Sequence, residues 1–269
     1  PYLRSHPLTT ERIGAAQQRI QLDVDKLPAL QSDPLALMMA ARADVLLDSG
    51  IDALRGLSTR GQAAALESLS PARRAGALYG AALAQARMRD FTQAQATVQQ
   101  LDTALAGLRG NATRHDELVR TAGRQLEAEI ALMQGDWNRA LSRVDLQSDD
   151  RANVMLAARA HVAGGQGQAA MQRLQSWVTS HKQDAGAWRE LSAALASQGL
   201  RLRALRADAE ASLIELDYTA ALDRLRAAQD LVRSGQIPRD DIETAIVDTR
   251  AREAQERLRQ QTLEDRVDQ

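Results

Sequence analysis

Cysteine is absent from all 269 residues, which excludes disulfides, thiolate metal sites and cysteine nucleophiles. Aromatic side chains make up only 3%, and lysine occurs only at Lys26 and Lys182. No apolar run approaches the roughly 20 residues that cross a bilayer, so no membrane span is expected. An excess of one charge is missing too. With 34 basic residues against 35 acidic ones, there is no basic footprint of the kind a nucleic-acid partner needs.

What is abundant is alanine, leucine, arginine and glutamine, all good helix formers, and there are no β-branched runs. The chain therefore reads as all-α. Pro28, Pro34, Pro71 and Pro238 fall between helical patterns, where proline is tolerated. In SDPLALMMAARADVLL, Ser32 or Asp33 is the N-cap and Pro34 sits in the first turn; Leu37, Met38, Ala41 and Val45 then share a face.

One short pattern recurs. RDFTQAQATVQQL places Phe91 before Ala94, Val98 and Leu101; GDWNRALSRV places Trp137 before Ala140 and Val144; LDYTAALDRLRAA places Tyr218 before Ala221, Leu225 and Ala228. Weaker versions surround Ala170 and Ala204. A turn, an aromatic and an alanine three residues later open the second helix of a tetratricopeptide (TPR) unit, a helix–turn–helix of about 34 residues. The alanines at 94, 140, 170, 204 and 221 include one interval of a full repeat and one of half a repeat. The half interval makes the helix near 201–215 both the second member of one unit and the first of the next. GLRGNATRHD (107–116) supplies a longer connection. The expected fold is an all-α, TPR-like superhelical solenoid of antiparallel helix pairs, with an ordinary helical bundle as the alternative. Ile242, Ile246 and Val247 are expected to pack as a capping helix, its end fraying.

The chain opens PYLRSHPLTTERIG. A residue before proline is pushed out of the α region, so His6 belongs to a turn; Thr9 is a plausible N-cap, and Leu8 and Ile13 take the positions of a hydrophobic staple. SHPLTTERI resembles the motif that closes the catalytic domain of the HtpX/BepA-type zinc metallopeptidases. ALYGAALAQARMRDF (77–91) is similar to the Tyr-Gly-x-Ala segment that begins the clearer repeats of the same family.

That resemblance implies several things. Residues 1–27 would be the tail of a metallopeptidase domain and 28–269 a TPR-like repeat domain. The parent would be a periplasmic zinc-dependent protease of a Gram-negative bacterium, engaged in outer-membrane protein quality control. Its partners would be the outer-membrane barrel assembly machinery or its substrates, together with its own protease domain. The zinc would sit in that domain, with His6 close to it in the parent only. The family holds its zinc with a His-Glu-x-x-His helix, and this chain has only His6, His115, His161 and His181, none in that spacing. The reading is of a non-catalytic binding domain with no cofactor of its own; a free-standing TPR adaptor is the alternative.

Among other candidates, His115 reads as a solvated cap, His161 as packing and His181 as exposed. Asp149-Asp150 reads as a helix cap, and Gly164, Gly165 and Gly167 as a tight helix reversal. Binding is expected on the concave face of the array, lined by Tyr79, Leu83, Arg87, Gln125, Glu129, Met133, Met155, Arg159, Arg189 and Glu190. Mixed Arg/Glu character with Met and Tyr suits an extended peptide or a protein edge.

Overall fold

The computed structural model describes residues 32–107, 114–238 and 240–267. Thirteen helices and no strand appear among them. The first three are α1 (Pro34–Leu47), α2 (Ile51–Arg60) and the single turn α3 (Ala63–Leu66). Then come α4 (Pro71–Arg87), α5 (Phe91–Gly107), α6 (Arg114–Gln134), α7 (Trp137–Arg143) and α8 (Arg151–Ala163). The array ends with α9 (Gly167–Ser180), α10 (Ala185–Ser197), α11 (Arg201–Ile214), α12 (Tyr218–Arg233) and α13 (Asp241–Val267). The proposed peptidase tail and His6 lie outside the described residues.

The recurring motif has a stereochemical cause. At six helix ends one residue takes a left-handed backbone, and five of these, at Arg89, Gly135, Gly165, Gly199 and Leu216, share one closure. The next residue donates its N–H to the carbonyl five positions back, as in Asp90 to Gln85 (2.9 Å), Asp136 to Ala131 (2.8 Å) and Asp217 to Ser212 (2.9 Å). This is the Schellman closure of a helix C-terminus. The same donor residue is the N-cap of the following helix. Asp136 accepts from Arg139 N–H at 3.0 Å and Asp217 from Ala220 N–H at 2.9 Å. One short turn thus finishes one helix and starts its partner.

Pairs formed in this way stack in chain order. Beyond their immediate neighbours, α4 touches α6, α6 touches α8 and α8 touches α10; then α11 touches α13. The inner row therefore changes register at α11, which packs on α10, α12 and α13, as the half-repeat interval in the sequence anticipates. The marker alanines Ala94, Ala140, Ala170 and Ala221 are fully buried and Ala204 nearly so. Small side chains at these crossings let helix axes approach. The apolar interior is a string rather than one body: successive clusters are centred on Leu83 and Leu101, on Ala140 and Leu156, on Leu174 and Leu195, and on Leu225 and Val247.

α4 is the most enclosed helix, buried on nearly every side between α1, α2, α5 and α6. Glycine makes its closest contact possible. A Cβ on Gly76 would lie 2.9 Å from the Cβ of Leu37 and 3.0 Å from its carbonyl oxygen, and one on Gly80 would lie 3.0 Å from the Cβ of Ala41. Deep inside, Thr97 donates to Gln85 at 2.8 Å and Gln85 to Ser58 at 3.0 Å, which satisfies polar atoms in the α2–α4–α5 interior.

The last helix corrects one expectation. Val247 is fully buried with Ala251 and Ala254, but Ile242 is 78% exposed and Ile246 lies at the rim. The reason is phase: α13 turns Glu243, Val247 and Ala254 toward α11 and α12, which carries Ile242 to the outside. The helix runs to Val267.

Candidate binding face

Arginine–carboxylate pairs between successive inner helices dominate the face that the sequence nominates. Arg159 on α8 reaches Glu190 on α10 at 2.6 Å through Nε and 2.5 Å through Nη2. Arg189, one residue earlier on α10, makes a forked pair with Glu215 at the end of α11. Arg42 on α1 spans to Glu129 on α6 at 2.6 and 3.2 Å. Burial opposes the Arg42 charge, but the hydrogen bonds and charge of Glu129 outweigh it, and the guanidinium pKa is raised. Burial in turn pushes the Tyr79 phenol up, with Arg42 pulling partly back.

A second set of bonds ties helix starts together. Asp150 caps α8 and accepts from Gln125 of α6 at 2.7 Å. Asp184, in the equivalent place on α10, accepts both Nε and Nη2 of Arg151 at 2.7 Å, Trp177 Nε1 at 3.0 Å and Ala187 N–H at 3.1 Å. The Arg151 fork is the largest influence on the Asp184 carboxyl and, despite opposing burial, holds it down to about 2.

The nominated residues therefore divide. Tyr79, Leu83 and Met155 are 2%, 0% and 5% exposed and belong to the core, not to an open surface. Inner helices are wrapped by neighbours on three sides, so a periodicity that selects the inward-facing stripe also selects interior positions. Glu129, Arg159, Arg189 and Glu190 are committed to interhelix pairs. Gln125 and Met133 are half-buried, and Arg87 is exposed. His115 pairs with Asp33, the N-cap of α1, at 2.9 Å; His161 bonds Gln166 at 2.8 Å; His181 stacks on Trp177 at 3.9 Å. Each is engaged locally. Among the described residues no three His, Asp or Glu side chains gather as a metal site, and no helix is long and apolar enough to cross a membrane.

The sequence did not flag a groove of about 800 Å³ formed by the end of α9, α10, α11, the start of α12, and α13. Trp188, Leu213, Tyr218 and Ile246 give it an apolar floor, with Arg206, Glu210 and Arg250 among them. Arg250 bonds Glu210 at 2.8 Å and Arg206 pairs with Glu243. Lys182 and Arg257 stand on its walls with no ion-pair partner among the described residues. The half-repeat interval was its one sequence signal, since the change of register opens the space.

No family model matches the chain. Over 189 residues it is 30% identical to proteins of Escherichia coli (strain K12), Shigella flexneri and Escherichia coli O157:H7, each a beta-barrel assembly-enhancing protease. The chain is similar to part of a protease. The match takes in 69% of this chain but 36% of each relative, so the chain spans little more than a third of the curated relatives it matches. The name of those proteins joins proteolysis to the assembly of beta-barrels.

Proposed function

We propose that the chain is the TPR-like, non-catalytic binding region of a periplasmic zinc metalloprotease that takes part in outer-membrane protein quality control. The likeness to beta-barrel assembly-enhancing proteases supports this most strongly, and the stacked helix pairs suit it. In this reading residues 1–27 close the peptidase domain and 28–269 form the repeat domain. The zinc belongs to the peptidase domain, with His6 beside it. The region holds the barrel assembly machinery or its substrates near the protease, raising the effective concentration of a scissile segment without doing chemistry on it.

The ion pairs have a supporting part in this scheme. Arg159–Glu190 and Arg189–Glu215 fix the spacing of inner helices, and that spacing sets the curvature of the surface offered to a partner. Contact itself falls to accessible groups: Arg87, Gln125 and Met133 on the inner row, and Lys182 and Arg257 around the groove.

Two measurements test the proposal. The coding sequence upstream of Pro1 should carry a His-Glu-x-x-His segment and a later glutamate ligand; a start codon with no such segment would leave a free-standing TPR adaptor. The purified chain should bind an unfolded outer-membrane barrel protein without cleaving it. Zinc-dependent cleavage by the chain alone would overturn the division of labour.

A further inference from the structure

The groove between α9 and α13 extends further than its own walls. Its volume, about 800 Å³, is within the range of ligand clefts, roughly 300–1,000 Å³. A second cavity of about 550 Å³ follows α13 along Ile242, Ala245 and Thr249, and the two share Ile246, Arg250 and Glu253. Together they make one elongated trough, longer than a small metabolite needs.

The first cavity is unbalanced in charge. Its carboxylates, Glu210 and Glu253, are both taken by Arg250, at 2.8 and 2.6 Å. Arg206 is engaged by Glu243. Lys182, in the turn before α10, and Arg257, on α13, are left with no carboxylate partner among the described residues. In the second cavity Asp241 opens α13, where an acidic residue suits the helix dipole. The whole chain is close to neutral, at −1, so the surplus of positive charge is local.

The apolar lining is equally ready for contact. Trp188 gives its indole N–H to the Lys182 carbonyl at 3.0 Å, which holds the ring and leaves its apolar surface for a ligand. The Tyr218 hydroxyl has no hydrogen-bond partner among the described residues. Leu216 is the plainest case. Its φ of +63° is a conformation in which glycine is unstrained, and it is 61% exposed. A leucine held there adds little to folding, yet its side chain lines the groove. Strain kept at a cavity wall points to contact with a ligand.

We propose that this trough binds an extended peptide segment in which apolar or aromatic side chains alternate with acidic ones. Successive side chains of an extended chain point to opposite sides, so one set meets the apolar floor while the other meets the cationic rim. The apolar set lies against Trp188, Leu213, Leu216 and Ile246; the carboxylates pair with Lys182 and Arg257, and a backbone carbonyl accepts from Tyr218. Two free cations neutralise too few phosphates to favour nucleic acid. The inference rests on the reading of the array as a binding region, but not on its parent being a protease.

The test uses the full 269-residue chain and dye-labelled peptides read by fluorescence anisotropy. GSLDFELDFGS should bind about tenfold more tightly than GSLKFKLKFGS or GSSDSESDSGS, and less tightly as salt is added. Lys182→Ala and Arg257→Ala should each weaken it about twofold to fivefold, the range of exposed ion pairs. Arg259→Ala, which removes the same charge from the other side of α13, should not. Leu216→Gly should weaken binding about threefold to tenfold while Tm stays the same or rises, a combination that a folding defect does not produce. Equal binding of the basic peptide, or affinity unmoved by the Lys182, Arg257 and Leu216 variants, overturns the proposal. Self-association of the chain that Lys182→Ala abolishes would assign the groove to a second copy and overturn it as well. An unfolded outer-membrane barrel protein separates the two readings. If it binds the unaltered chain and these variants equally, the groove assignment falls alone; if neither peptide nor barrel protein binds, both fall.

Discussion

The left-handed turn residues allow a test in both directions. Gly135 has φ of +84° and open space around the position a Cβ would occupy, so Gly135→Ala adds no clash. Its cost is conformational alone: an L-residue in this region is disfavoured by roughly 1–2 kcal/mol, and the smaller entropy of the unfolded alanine chain returns part of that. A net loss of about 1 kcal/mol is expected. Leu216 is the mirror case. At φ +63° and 61% exposed it is held where glycine would be unstrained, while making little buried contact. Leu216→Gly should relieve about 1 kcal/mol of strain and give some back through unfolded-state entropy, a gain of a few tenths to 1 kcal/mol. Urea unfolding followed by circular dichroism reads both as opposite shifts in midpoint at constant slope. If Gly135→Ala is neutral and Leu216→Gly destabilising, the turns are not the Schellman closures that account for the repeated motif.

Other expectations follow from particular contacts. Gly76→Ala drives a methyl into Leu37 and should destabilise by about 1–3 kcal/mol, whereas Gly56→Ala, in open space on α2, should stabilise by roughly 0.5–1 kcal/mol; thermal unfolding of the two variants separates packing from propensity. Asp184 has a folded pKa of about 2, below its unfolded value, so its contribution is present at neutral pH and lost as pH falls from about 4 to 2. Asp184→Asn should lower stability at pH 7 by about 2 kcal/mol and flatten that acid limb. Leu126→Ala, at a fully buried site, should cost about 2–5 kcal/mol in the same assay.

Helices and turns could be read from the sequence because their determinants are local. Asp136 and Trp137 identify a cap and a first turn without reference to anything distant, and the same is true of Asp217 and Tyr218. The change of register at α11 was visible as spacing between Ala204 and Ala221. Exposure was harder to read. Tyr79, Leu83 and Met155 repeat on the inward stripe, but burial depends on how many neighbours wrap the helix, and α4 has four. Pairing was invisible as well: Arg159 and Glu190 are 31 residues apart, and only the stacking of α8 on α10 brings them together. The groove was hidden for the same reason, since Lys182 in the α9–α10 turn, Arg206 on α11 and Arg250 on α13 converge only through the stacking of distant segments.

The proposed role of the repeat array is to hold a partner from the outer-membrane assembly pathway. The most direct test is site-specific photo-crosslinking in the periplasm of a Gram-negative host, with the photoreactive residue at Arg87, Lys182 or Arg257. Adducts with a barrel-assembly component or an unfolded barrel protein are expected from these positions, and none from the outward-facing Gln99. Equal labelling at all four positions, or no adduct at any, would contradict that role.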